Sequence, residues 1–226
     1  MMELFEIVCP NLMNKIPEFS KAIVDTLIML GVTGILSLIF GIIFGLILVV
    51  TKEDGILEQK VVYFIVGKFV DFFRAIPFLI LITLLTPVTR ALMGTTIQLK
   101  GALFPLIVGT IPFFARQLES ALCEIDKGLI EASQAMGLTA FQMMVRVYLK
   151  ESVPSIIRAI TITLIALIGY ITMVGVIGGG GIGDFCIRYG YNGFEHDVTI
   201  VCVIVLLLLT SCIQGIGNYF VKKTSR

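Results

Sequence analysis

Residues 119–158 read ESALCEIDKGLIEASQAMGLTAFQMMVRVYLKESVPSIIR, a polar, amphipathic island between long stretches almost free of charge. That contrast decides the fold class. Over 226 residues, 57% are apolar and 15% charged, with a mean hydropathy of +1.01, whereas soluble globular domains carry about a quarter charged residues. The composition is that of an all-α integral membrane protein, and an island of this kind gives such a protein something on one side of the bilayer to dock against. A net charge of +1 offers no basic surface for nucleic acid, so the placement of charges matters more than their sum.

Working outward from the island, five stretches read as spans, each long enough for a hydrocarbon core of about 30 Å. Toward the N-terminus lie 95–116, an uncharged run extended backwards through Ile97 and Lys100; 61–88, which carries Lys68, Asp71 and Arg74 before an uncharged tail; and 26–51, with no charge at all. Pro77 stands in the second of these spans, where a helix kinks or breaks. Toward the C-terminus lie 159–178 and 198–221. Five spans leave little chain for a separate soluble domain, so 1–226 is expected to be one membrane domain. The start, 1–20, lacks a basic region leading into an apolar core and a small-residue cleavage site, and the first span is expected to act as the targeting signal.

Lysine and arginine set the orientation. On the side of the island they number ten, Lys52, Lys60, Arg116, Lys127, Arg146, Lys150, Arg158, Lys222, Lys223 and Arg226, against five on the other side, Lys15, Lys21, Arg90, Lys100 and Arg188. The island and the C-terminus are expected in the cytoplasm and the N-terminus outside. The five cysteines, Cys9, Cys123, Cys186, Cys202 and Cys212, are odd in number and unclustered, which reads as free thiols rather than a disulfide framework or a zinc site.

Inside the island, Asp126 is placed to cap a short helix with Leu129, Ala132, Ser133 and Met136 at helical spacing, and Gly137 sits where a left-handed terminator is wanted. Thr139 and Gln142 then have the spacing of a capping box, with Leu138 and Met143 as a hydrophobic staple. Phe141, Met144, Val145, Tyr148, Leu149 and Val153 continue one apolar face, with Arg146 and Lys150 turned away. Helix, glycine corner and helix make either a rigid knob that fits a groove in a soluble partner or an interfacial amphipathic hairpin with none. These residues alone leave both open.

Glu131-Ala132-Ser133, three further residues and then Gly137 resembles the EAA loop of permease subunits of bacterial ATP-binding-cassette importers, and it stands between the third-last and second-last spans. Phe73-Arg74-Ala75-Ile76-Pro77-Phe78, the run 128–137, and the glycines of 178–183 followed by Arg188-Tyr189-Gly190-Tyr191 are most similar to the small five-span permease of methionine importers. One departure is that the family loop continues to a leucine–proline pair, whereas here Lys150 follows Leu149 and a proline comes only at Pro154. The resemblance implies that Glu131, Ala132, Ser133 and Gly137 dock in a cleft of an ATPase subunit. It implies a permease of an ATP-driven amino-acid importer, with methionine as cargo, in the bacterial cytoplasmic (inner) membrane. It further implies two copies of the chain, two ATPase subunits that hold ATP and magnesium, and an extracytoplasmic substrate-binding lipoprotein. A symmetric pair fits elementary geometry too, since five spans are few to wall a pathway and a twofold axis would supply its centre.

No G-x-x-x-x-G-K-[ST] run occurs, so this chain is expected to carry no cofactor and hydrolyse no ATP itself. Gly178, Gly180 and Gly183 have dinucleotide-binding spacing without the strand that fingerprint requires, and with Gly175 they read as a loop or a close packing surface. Gly41 and Gly45 form a second small-residue pair. Asp71 is spaced to pair with Lys68 or Arg74 near the interface, and His196 is expected in a solvated loop with Arg188, Glu195 and Asp197. No residue is singled out for substrate, catalysis or metal. The rival class is an autonomous channel or ion-coupled carrier, which would show charges near mid-bilayer and internal repeats; an intramembrane enzyme would need a nucleophile and base.

Overall fold

The computed structural model describes residues 9–225. Residues 1–8, part of the start that was expected to lack a removable signal peptide, and Arg226 of the basic tail lie outside them. Regular structure among the described residues is helical throughout: α1 (Pro10–Met13), α2 (Ile16–Thr51), α3 (Lys60–Ala75), α4 (Phe78–Met93), α5 (Gln98–Cys123), α6 (Lys127–Ala135), α7 (Ala140–Met143), α8 (Val153–Gly175), α9 (Gly181–Phe185) and α10 (His196–Thr224). Wider π-helical turns follow α7 over Met144–Leu149 and α9 over Cys186–Tyr191.

Four of these helices, α2, α5, α8 and α10, are long and apolar enough to cross a membrane, and a fifth span results if the broken pair α3 and α4 is counted as one. The second span, 61–88, was expected to kink or break at Pro77, and it breaks into two helices: Ile76 leaves the helical region (φ −80°, ψ 124°) and Pro77 opens α4 as its N-cap. The cause is local: the proline ring pushes the residue before it out of the α region. The other helices outrun their uncharged stretches. α2 starts at Ile16, with Pro17 in its first turn, where the missing N–H costs nothing, and Glu18 favoured by the helix dipole. α5 runs on through Arg116 and Glu119 to Cys123, and α8 starts at Val153, so both ends of the expected island belong to long helices.

The chain forms two compact units. The first comprises Met1–Ile35, Pro77–Val108 and Ile165–Cys212. Its core packs Leu12, Ala22, Ile182, Phe185, Val198 and Cys202, with the Phe19 ring 5.3 Å from that of Phe185. α1 is tied to the start of α10, where the backbone N–H and Nδ2 of Asn11 donate to Asp197 at 3.1 and 3.0 Å, and Lys15 pairs with Glu195 at 2.6 Å. The segment expected to be a solvated loop around His196 is therefore pinned, and His196 opens α10. α8 ends in the glycine run, with Gly178, Gly180 and Gly181 at positive φ, and a Cβ on Gly175 would run into the Asp184 nitrogen. The run thus serves as both loop and packing surface. Buried Thr26 accepts from the Ile182 N–H at 2.8 Å and so fixes α9.

The second unit comprises Leu36–Ile76, Gly109–Leu164 and Ile213–Arg226. Val49, Phe114, Leu118, Leu122, Tyr148 and Ala159 form its larger core. The Gly41 and Gly45 pair does make a close face: side chains there would run into Phe114 and into Leu118 and the Ala115 carbonyl.

Candidate docking site

Within the second unit, Asp126 Oδ1 accepts from Gly128 N–H at 2.7 Å and Leu129 N–H at 3.3 Å, so α6 begins where its cap was expected. It ends in a Schellman motif: Gly137 N–H donates to Gln134 O at 2.9 Å, Leu138 N–H donates to Ser133 O at 3.3 Å, and Gly137 has φ 78°. Two residues later the capping box closes, with Thr139 N–H on Gln142 Oε1 at 3.0 Å and Gln142 N–H on Thr139 Oγ1 at 3.3 Å. The backbone is thus hydrogen-bonded on both sides of the corner, which fixes the turn from α6 into α7. No atom outside the immediate chain lies within 4 Å of where a Gly137 Cβ would stand.

The π-helical turn over Met144–Leu149 shifts the register of the second helix. The buried residues are Met143, Val147 and Tyr148, while Phe141 and Val145 of the expected apolar face lie exposed. On α6, Ser133 turns inward and donates to Leu129 O at 2.7 Å, whereas Leu129, Ala132 and Met136, expected to share its face, are exposed. Of the four residues drawn from the EAA pattern, Glu131, Ala132 and Gly137 therefore point outward and Ser133 does not. The corner carries Met136 at 71% and Phe141 at 70% exposure above a base anchored by Tyr148 at 2%. Helical spacing marked these side chains as apolar but did not say which side they would take.

Beside α6 lies a cleft of about 480 Å3 lined by Lys52, Glu53, Glu131, Gln134 and Tyr148. Burial pushes the Tyr148 phenol above its ordinary pKa. Burial would lower the Lys52 ammonium, but its hydrogen bond to Cys123 Sγ at 3.0 Å and the charges nearby raise it on balance, so it stays a cation. All five cysteines are free thiols, and among the described residues no group of three or more His, Cys, Asp or Glu converges as metal ligands would.

Apolar helices of membrane length with a capped, hydrogen-bonded corner between two of them define a multi-pass membrane protein. Over residues 37–226 the chain matches the binding-protein-dependent transport system inner membrane component family, and it belongs to that family. It is 41% identical over 199 residues to the probable D-methionine transport system permease protein of Vibrio cholerae, covering 88% of each chain. With the methionine import system permease protein of Bacillus subtilis it shares 41% identity over 172 residues, 76% of this chain and 78% of that one. A chain in a solved structure of the MetNI methionine ABC transporter, in inward-facing conformations, superposes with a TM-score of 0.92 at 39% identity, over 94% of this chain and 99% of that one.

Proposed function

We propose that this chain is the permease subunit of an ATP-driven methionine importer. It works as one permease domain, 1–226, in a homodimer whose twofold axis carries the pathway. The N-terminus lies outside and the C-terminus in the cytoplasm, as the excess of lysine and arginine on the island side argues. Two ATPase subunits supply ATP hydrolysis with their own magnesium, and an external binding protein delivers the substrate. The α6 corner docks in the ATPase, with Glu131, Ala132 and Gly137 at the contact and Ser133 fixing the helix from behind.

The observation that carries the docking role is the pairing of a rigid backbone with exposed apolar side chains. Met136 and Phe141 stand out from a corner held by the Schellman bonds and the capping box, on a base anchored by buried Tyr148. Such exposure on a rigid knob fits a partner's pocket, because large apolar side chains gain most when a preformed site covers them. An interfacial hairpin lying on lipid would hold one continuous apolar face toward the bilayer, and the π-turn splits that face.

The test is purification of the chain from membranes with its co-expressed ATPase, quantifying both subunits. Equimolar recovery that Met136→Asp and Phe141→Asp together abolish, with the permease itself retained, agrees with docking here. Full ATPase recovery by that double variant contradicts it.

A further inference from the structure

Asp71 was expected to pair along its own helix, but its closest partner comes from another. Arg116 on α5 donates from Nη2 and Nε to the two Asp71 oxygens on α3 at 2.8 and 3.1 Å, while Arg74 stands 3.7 Å away. The same guanidinium donates from Nη1 to Glu119 Oε2 at 2.6 Å and from Nη2 to the Gly67 carbonyl at 3.3 Å. Tyr63 on α3 completes the set by donating its hydroxyl to Glu119 Oε1 at 3.2 Å. The Arg116 and Glu119 side chains are 18% and 11% exposed. Gly67 is what admits the guanidinium, since a Cβ there would stand 3.2 Å from Arg116 Nη2.

The network sits at the end of α5 nearest the island, with Asp71 about half exposed, and a many-bonded ionic link between two helices at that place calls for a function. Three features specify which. The network joins α3 to α5 through a forked guanidinium, which fixes direction as well as distance. Glu119 lies on the last turns of α5, the helix that runs directly into the docking loop. Asp71 lies at the other end of the clamp, near the C-terminus of α3, where the chain breaks at Ile76 and Pro77. Separating α3 from α5 would break the forked Asp71 pair and the Gly67 and Tyr63 hydrogen bonds and leave Arg116 with Glu119 alone, which favours α3 and α5 staying together when either moves.

We propose that Arg116, with Asp71, Glu119 and Tyr63, is a positioning clamp that hands motion of the docking loop on to α3, so that ATP hydrolysis drives transport. This rests on the importer reading above. Arg116 touches neither ATP nor substrate. What the clamp sets is how much transport each hydrolysed ATP yields.

The experiment uses the whole complex in proteoliposomes, measuring ATPase recovery, the ATP hydrolysis rate and labelled methionine taken up per ATP. Arg116→Gln and Asp71→Asn should keep ATPase recovery and hydrolysis while uptake per ATP falls about ten- to hundredfold, the span of ordinary coupling energies. Arg116→Lys, which keeps the charge but loses the fork, should fall between. Combining Arg116→Gln with Asp71→Asn should cost no more than either alone, since both open one clamp. Gly67→Ala serves where a charge change prevents folding, because it displaces the guanidinium and removes no charge. Unchanged uptake per ATP in these variants overturns the clamp, as do parallel losses of hydrolysis and uptake or additive losses in the double variant. Failure of the unaltered complex to import methionine is a different result and counts against the importer reading itself.

Discussion

Gly137→Val perturbs the corner between α6 and α7 at its left-handed glycine. The residue has φ 78° and lies in open space, so added bulk meets nothing and the whole cost is backbone. Holding an L-residue in the left-handed region costs about 1–2 kcal/mol, and branching at Cβ puts valine at the upper end or beyond. Relaxation to negative φ would avoid that cost but forfeits the two closing bonds from Gly137 N–H and Leu138 N–H, each worth about 1 kcal/mol net. On either route a loss of about 1–2 kcal/mol cuts the population of the formed corner by a factor of about 5–30. Gly137→Asn should recover most of it, because asparagine enters the left-handed region more readily. The assay is co-purification of the ATPase at equal permease recovery, followed by ATP-dependent uptake. Valine should reduce both, with asparagine close to glycine. Normal recovery and uptake with valine, or asparagine as damaging as valine, would refute the backbone argument.

Tyr148→Ala should lower stability by about 3–5 kcal/mol, read as a lower thermal midpoint in detergent, because it empties a fully buried site beneath the corner. Thr26→Val keeps the shape and removes the acceptor of the buried Ile182 N–H, costing about 1–3 kcal/mol in the same assay. Thr139→Ala removes one half of the capping box and should cost about 1 kcal/mol, with a smaller drop in ATPase co-purification than Gly137→Val. In variants that keep one native cysteine each, a membrane-impermeant thiol reagent on intact cells should reach Cys186 and spare Cys123. Labelling of Cys123 from outside would reverse the orientation.

What the sequence made legible was local. Uncharged stretches marked the long helices, and Asp126, Gly137 and the Thr139 and Gln142 pair marked the corner, because caps and left-handed turns are read from residues adjacent in the chain. Pro77 announced an interruption but not two separate helices, since the local effect of proline does not fix where the following helix goes. The π-turn over Met144–Leu149 was invisible, as a wider turn leaves composition unchanged while it shifts the helical register of the residues from Met144 onward. The Arg116 clamp was missed because its partners lie 45 and 49 residues away in the chain, at Asp71 and Gly67. Spacing along one helix favoured Arg74 for Asp71, and tertiary packing supplied a better-placed guanidinium.

As proposed above, this chain carries methionine across the membrane under power supplied by a partner. The direct measurement is labelled methionine uptake into proteoliposomes holding the permease, its ATPase and the binding protein, with ATP enclosed. Uptake should need ATP and all three components and be competed by unlabelled methionine. Uptake by the permease alone, or ATP-driven uptake of another solute that methionine fails to compete, would contradict the proposal.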